Sequence, residues 1–285
     1  MYSLAPAHTR RDRSRRPTQT ERRRMTTFKQ RMASGEILAG TFLKTPAHEM
    51  IEVLAKSRLD FVCLDAEHAP FDRARMDICL AMARALDFPV LVRLPVGAPV
   101  EMLKALDSGA VGVVVPHVDS VEKAQDIARA ARFGEGGRGY AGSTRWAGFA
   151  TRSMADVLQQ SADETIVIAQ IEEPAGVKAA AGIAAVDGID GLFVGPADLA
   201  VCYGKTDMSD PKVLDAMRET GAAARAAGKA FMTFAANSDA APDLMDMGVS
   251  MFFVASEHAF LLRGANAEAE ALHAAGADKG AGPER

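Results

Sequence analysis

The residue types that could do chemistry collect where short apolar runs end. DFVCLD (60–65) runs into Ala66-Glu67-His68-Ala69-Pro70, PVLVRL (89–94) carries Arg93, TIVIAQI (165–171) delivers Gln170 and then Glu172, and DGLFVG (190–195) leads into Pro196-Ala197-Asp198. Glu172 and Asp198 follow consecutive runs. If those runs pair as strands about 4.8 Å apart, the two carboxylates reach one hard divalent cation such as Mg²⁺. Asp198 is equally suited to cap a helix, and the first amides of a helix opening at GPADL suit a substrate carboxylate. Gln170 and Glu172 are two residues apart and therefore share one side of a strand. A guanidinium inside VLVRLP needs an anionic partner or a solvated mouth; Arg93 is either half of a structural ion pair or a group that binds a 2-oxo acid and stabilises a developing oxyanion. His68 is placed to act as a general base near neutral pH, with metal ligation as its rival role. His117, after VGVVV (111–115), is the one further histidine held in reserve.

Those groups need a scaffold that brings several strand ends to one face. Eight short apolar runs are visible: 37–43, 60–65, 89–94, 111–115, 165–171, 190–195, 229–234 and 250–255. Helical periodicity fills the intervals, as in AHEMIEVLAKS, RARMDICLAMARAL and VEKAQDIARAAR. Several runs are apolar on both faces, which suits buried parallel strands. Eight strands each followed by a helix predict a single-domain α/β protein, a (β/α)8 TIM barrel over residues 25–275, close to the typical ~250 residues of that fold. An open doubly wound sheet would carry a glycine-rich dinucleotide turn early, and GTFLKTP is not one. The longest irregular stretch, 133–160, holds the only tryptophan and reads as an active-site lid or a subunit contact.

Composition narrows the class. The chain has 285 residues, 48% hydrophobic and 25% charged, which excludes wholesale disorder. No apolar stretch nears the roughly 18 residues of a membrane-spanning helix. Cys63, Cys79 and Cys202 lack CxxC spacing, so neither a disulfide framework nor a zinc knuckle is expected, and a cytoplasmic setting follows. The net charge is −4, but residues 1–24 hold eight arginines against Asp12 and Glu21, a balance of +6 that leaves −10 on the remainder. An acidic body argues against nucleic acid as a partner. The basic segment 1–24 reads as a disordered extension, with translation expected to start near Met25, and 276–285 reads as a disordered tail.

Taken together, LDAEHAPFD, VRLP, VVVPHVDS, GGRG, AQIEEPAGV and DGIDGLFVGPADLA resemble the HpcH/HpaI family of class II, metal-dependent 2-oxo-acid (pyruvate) aldolases, over about residues 26–262. The resemblance implies a (β/α)8 barrel that assembles as a hexamer of two trimers, exchanging C-terminal helices. It implies a divalent cation, Mg²⁺, Mn²⁺ or Co²⁺, held by Glu172 and Asp198. His68 resembles the catalytic base, and Asp107 resembles an acid that pairs with it. Arg93 resembles the arginine that contacts the oxo group. Gln170 and the backbone of Gly195, Pro196 and Ala197 are implied to hold the pyruvate carboxylate, with Asp65 behind the metal. The implied reaction is reversible cleavage of 4-hydroxy-2-oxo acids to pyruvate and an aldehyde. Lys44-Thr45-Pro46 and Ser256-Glu257-His258 depart from the family's commonest forms at the mouth, so the aldehyde partner stays open. Lys44 also admits a Schiff-base mechanism. An acyl-CoA lyase of the malyl- or citramalyl-CoA type and a non-catalytic oligomeric barrel are the alternative functions.

Overall fold

The computed structural model describes residues 27–280, with side chains through 276. The 1–24 extension and residues 281–285 lie outside the described residues. Eight parallel strands close into a barrel in sequence order: β1 (Leu38–Leu43), β2 (Phe61–Asp65), β3 (Val90–Arg93), β4 (Gly112–Val115), β5 (Ile166–Ile171), β6 (Gly191–Val194), β7 (Ala230–Ala235) and β8 (Met251–Ser256). All eight fall on the expected runs, and the fold is the expected (β/α)8 barrel. Helix α1 (Phe28–Ala33) closes the N-terminal end. The remaining helices are α2 (His48–Leu54), α3 (Arg73–Ala85), α4 (Pro99–Ser108), α5 (Val121–Ala131), α6 (Met154–Glu164), α7 (Pro174–Ala184), α8 (Pro196–Cys202), α9 (Pro211–Ala226), α10 (Ala241–Asp246) and α11 (Glu257–Gly280). Among the described residues, no helix is long and apolar enough to cross a membrane.

Alternation along each strand builds two cores. Val62, Leu64, Val90, Val92, Val167, Ala169 and Ile171 point outward and pack under the helices. Phe61, Cys63, Leu91, Ile166, Ile168, Phe193, Met232 and Phe253 fill the barrel interior. Phe61, Phe193 and Phe253 meet edge to face, with ring centroids 5.0 Å apart for Phe61–Phe253 and 4.8 Å for Phe193–Phe253. Gly40 makes that stack possible, because a Cβ there would lie 2.3 Å from the Phe61 ring. Each buried phenylalanine contributes about 1.5–3 kcal/mol. The inner layers can therefore carry polar groups in the layer above them.

Two segments differ from expectation. Helix α6 begins inside the stretch read as irregular to 160: Ser153 caps it by accepting the Asp156 amide, and Val157 is fully buried. The remaining loop is anchored, with Trp146 buried, Arg138 on Asp107 and Arg145 on Asp77. None of its residues line the cavity at the barrel mouth. Helix α11 continues to Gly280, five residues into the segment 276–285 that was expected to be a disordered tail.

Candidate active site at the barrel mouth

Continuing the inward alternation upward gives the polar layer. Above Phe61 and Cys63 on β2 comes Asp65; above Leu91 on β3 comes Arg93; above Ile166 and Ile168 on β5 come Gln170 and then Glu172. Period-two geometry thus aims these residues at the C-terminal mouth, where barrel enzymes place their chemistry. A cavity of about 560 Å³ opens there, lined by Lys44, His68, Arg93, Gln170, Gly195 and Asp198 among others.

Asp65 is the hub on the β1–β3 side. It is fully buried and accepts from Arg93 Nε at 3.0 Å, from Arg93 Nη2 at 2.8 Å and from the His68 amide at 3.1 Å, while Lys44 Nζ lies 2.9 Å away. Burial pushes this carboxyl up, but Arg93, Lys44 and the His68 amide more than offset it and hold it below the usual aspartate range. Burial likewise works against the Arg93 charge, yet its bonds to Asp65 raise its affinity for the proton. The Arg93 guanidinium also sits 4.3 Å from the Phe42 ring centroid. Its Nη1 makes none of the bonds to Asp65.

On the β4–β6 side, Glu172 is buried and accepts the His117 amide at 2.7 Å, and its other oxygen accepts from Gln170 Nε2. His117 holds a left-handed backbone (φ 56°), a strained conformation for a non-glycine residue at a functional site. Its ring Nδ1 lies 3.2 Å from Glu172 Oε1 and 3.0 Å from Glu173 Oε1. Glu67 completes a group of three: one ligand atom each from Glu67, His117 and Glu172 lies within 4.8 Å of the others. Burial pushes the Glu67 carboxyl above its usual range; Arg93, His68 and His117 oppose this and Glu172 adds to it.

The donor set fits a divalent cation. Gln170 is 1% exposed, and its Oε1 has no hydrogen-bond partner among the described residues. Gly195 keeps space open over that carboxylate, since a Cβ there would lie 3.1 Å from Glu172 Oε2. Carboxylates, an amide oxygen and an imidazole are hard or borderline ligands suited to Mg²⁺, Mn²⁺ or Co²⁺.

Asp198, expected beside Glu172, is not one of the three clustered groups. It lies exposed in the first turn of α8 and lines the cavity next to Gly195, Pro196 and Ala197. Gly195, not Asp198, occupies the cap position. His68 is half exposed, with Nε2 3.6 Å from Glu67 Oε2. Asp107 is near the end of α4 and accepts from Arg138 Nε at 3.0 Å and Nη2 at 2.6 Å. Among the described residues, no ion pair joins Asp107 to His68.

Sequence reasoning passed over Glu67, although its position two residues after inward-facing Asp65 is the signal that would have found it. It placed Glu257 at the mouth without a role; Glu257 is buried and accepts the amides of Lys44 and Thr45. That role depends on the junction of β1 with β8, which no local motif marks.

The closed barrel with an acidic, cation-compatible mouth defines a (β/α)8 scaffold with a candidate metal site. The model of the HpcH/HpaI aldolase/citrate lyase family matches residues 38–263, and the chain belongs to that family. A hydroxypyruvate/pyruvate aldolase from Roseovarius nubinhibens is 35% identical over 205 residues, covering 72% of this chain and 80% of that one. A 5-keto-4-deoxy-D-glucarate aldolase from an Enterobacter species is 34% identical, covering 71% and 79%. The crystal structure of an HpcH/HpaI aldolase/citrate lyase family protein from Burkholderia cenocepacia superposes with a TM-score of 0.81 at 34% identity, covering 86% of this chain and 98% of that one.

Proposed function

We propose that the protein is a divalent-metal-dependent pyruvate aldolase that reversibly cleaves 4-hydroxy-2-oxo acids to pyruvate and an aldehyde. The observation that carries this reading is the convergence of His68, Arg93, Gln170 and Asp198 on one cavity at the C-terminal end of the barrel. Relatives named as aldolases at 32–35% identity support it over an acyl-CoA lyase.

Glu172 and Asp198 would hold the cation, with Glu67 and His117 close to Glu172. When bound, the cation supplies positive charge where the 2-oxo acid gains electron density. The chain's own residues do the rest. The Ala197 and Asp198 amides in the first turn of α8 have no acceptor within the helix and would receive the substrate carboxylate, with Gln170 beside them. Arg93 is held rigidly by Asp65, and its uncommitted Nη1 would donate to the 2-oxo oxygen. His68, directly or through a water, would take the proton from the 4-hydroxyl. The C3–C4 bond then breaks, its electron pair goes to the pyruvate enolate, and an aldehyde leaves; protonation at C3 completes pyruvate.

Asp107 would act on His68 across a subunit boundary, since within one chain it is taken by Arg138. An assembly of two trimers suits the exposure of α11 throughout 261–276, where Leu261, Leu262 and Leu272 are 60%, 64% and 73% exposed. A cytoplasmic location is part of this reading.

The test is pyruvate release from a panel of 4-hydroxy-2-oxo acids, with EDTA and with added Mg²⁺, Mn²⁺ or Co²⁺. Release abolished by chelation and restored by metal is expected. Release that survives chelation and is trapped by borohydride would replace this mechanism with a Schiff base on Lys44.

A further inference from the structure

We propose that the mouth holds a second cation site, separate from the Glu172–Asp198 position, in which Glu67, His117 and Glu172 bind a borderline divalent ion such as Zn²⁺. The aldolase reading enters only through the ion at Glu172 and Asp198.

Glu172 turns its two oxygens to different surroundings. Oε2 accepts from Gln170 and would lie 3.1 Å from a Cβ at Gly195, on the side where Asp198 lines the cavity. Oε1 faces the end of β4, where it accepts the His117 amide at 2.7 Å and lies 3.2 Å from the ring Nδ1. A carboxylate open to ligands on both oxygens can be shared by two cations.

Glu67 supplies the second carboxylate. Its side chain is only 11% exposed, and Oε2 is buried with no hydrogen-bond partner among the described residues. Arg93 Nε at 3.4 Å and His68 Nε2 at 3.6 Å stand near that oxygen without bonding it, and Arg93 is committed to Asp65. Oε1 turns toward His117 Nε2, 3.8 Å away. A buried carboxylate left unpaired is costly, and a cation held between Glu67 and Glu172 removes that cost.

His117 is held as a ligand is held. Its backbone is fixed in the left-handed region, with the amide on Glu172 and the carbonyl accepting from Lys123 Nζ at 3.2 Å. Glu173 Oε1 lies 3.0 Å from Nδ1 and orients the ring, as carboxylates orient metal-bound imidazoles. One ligand atom each from Glu67, His117 and Glu172 falls within 4.8 Å of the others. Three protein ligands with a water in the fourth position suit Zn²⁺, and the imidazole favours Zn²⁺ or Co²⁺ over Mg²⁺.

The experiment strips the full-length protein with a chelator, dialyses it against Zn²⁺ and measures the bound metal. The wild type is expected to take up two ions per chain. His117→Asn, a residue that tolerates the left-handed backbone, and Glu67→Gln are each expected to take up one fewer. Glu173→Gln is expected to weaken the second ion about 10–100-fold. Asp198→Asn is expected to keep the ion at His117: with one equivalent of Cu²⁺ its electron spin-echo spectrum should show a coordinated imidazole nitrogen, and adding His117→Asn should abolish it. A wild type with a single ion, a His117→Asn variant with as many ions as the wild type, or an imidazole signal that survives the loss of His117 overturns the proposal. Chelator-sensitive pyruvate release with one ion per chain overturns the second site alone. Two ions per chain without pyruvate release overturn the aldolase reading and leave the second site standing.

Discussion

Replacing Arg93 by methionine tests whether the Asp65–Arg93 pair is both catalytic and structural. Asp65 has no solvent exposure, and Arg93 supplies two of its hydrogen bonds, at 3.0 and 2.8 Å. Removing one partner of a buried pair costs about 3–5 kcal/mol, because the other charge is left desolvated. Lys44, 2.9 Å from Asp65, and the His68 amide remain, which puts the expected cost at the lower end, about 3 kcal/mol. In a domain of this size that corresponds to roughly 6–12 °C in Tm. The double variant Asp65→Asn/Arg93→Met removes the buried carboxylate with its partner and is expected to regain part of the loss, since Glu67, 3.4 Å from Arg93, and Lys44 each still lose a partner. The catalytic effect should separate from the structural one. Turnover is expected to fall about 10²–10³-fold in both variants, the cost of one oxyanion donor, and metal affinity by calorimetry to persist in both. Thermal melts, calorimetry and pyruvate release make the assay. A double variant that melts lower than Arg93→Met would refute the buried-charge argument. Unchanged turnover in Arg93→Met would refute the assignment of Arg93 to the 2-oxo group.

Gly195→Ala is expected to weaken metal binding about 10–100-fold with little change in Tm, because its Cβ would meet Glu172 Oε2 at 3.1 Å and Glu172 Cβ at 3.2 Å; wild-type affinity by calorimetry would show that the gap serves no ion. Asp107→Ala leaves the Arg138 guanidinium buried without the anion it holds, and its Nη1 already has no hydrogen-bond partner among the described residues. It is expected to destabilise the fold by about 3 kcal/mol in urea, and an unchanged midpoint would sink that account. Asp65 has its pKa depressed in the folded state, so its stabilising contribution is full above the unfolded value of about 3.9 and is lost as pH falls below that toward the folded value. Urea midpoints across that range should decline less steeply in Asp65→Asn/Arg93→Met than in the wild type.

The eight strands were legible because each is a short apolar run, several of them apolar on both faces, bounded by turn residues or helical periodicity. Asp65, Arg93, Gln170 and Glu172 were legible for the same reason, as polar residues at the upper ends of those runs. What stayed hidden was pairing at long range. The alternation places Arg93 inside but does not say that Asp65, one strand away, takes both of its arms. Asp107 sits late in α4, where an acid is ordinarily solvated. Its partner Arg138 arrives only because the loop after α5 folds back and buries Trp146 against that helix. Helix α6 was hidden by the glycine-rich segment before it, although Ser153 and Asp156 form a recognisable start.

The site and the core are one pattern read at different heights. On β2 the inward positions are Phe61, Cys63 and Asp65; on β5 they are Ile166, Ile168 and Gln170. A slip of one residue in either strand would turn the aromatic layer outward and the polar groups into the helix layer at once. The register that lets Gly40 receive the Phe61 ring therefore also sets Asp65 beside Arg93, and the β2–β3 pairing of those two residues confirms the link. Only at β8 is the alternation broken. The register against β1 shifts between Gly40 and Phe42, and Ala255 takes a left-handed backbone (φ 53°). Bulges of this kind re-aim side chains at barrel rims, and this one lets Ala255 and Ser256 both line the cavity on the Lys44 side. Among the described strand pairs this is the one shift of register, and it falls at the rim of the mouth cavity.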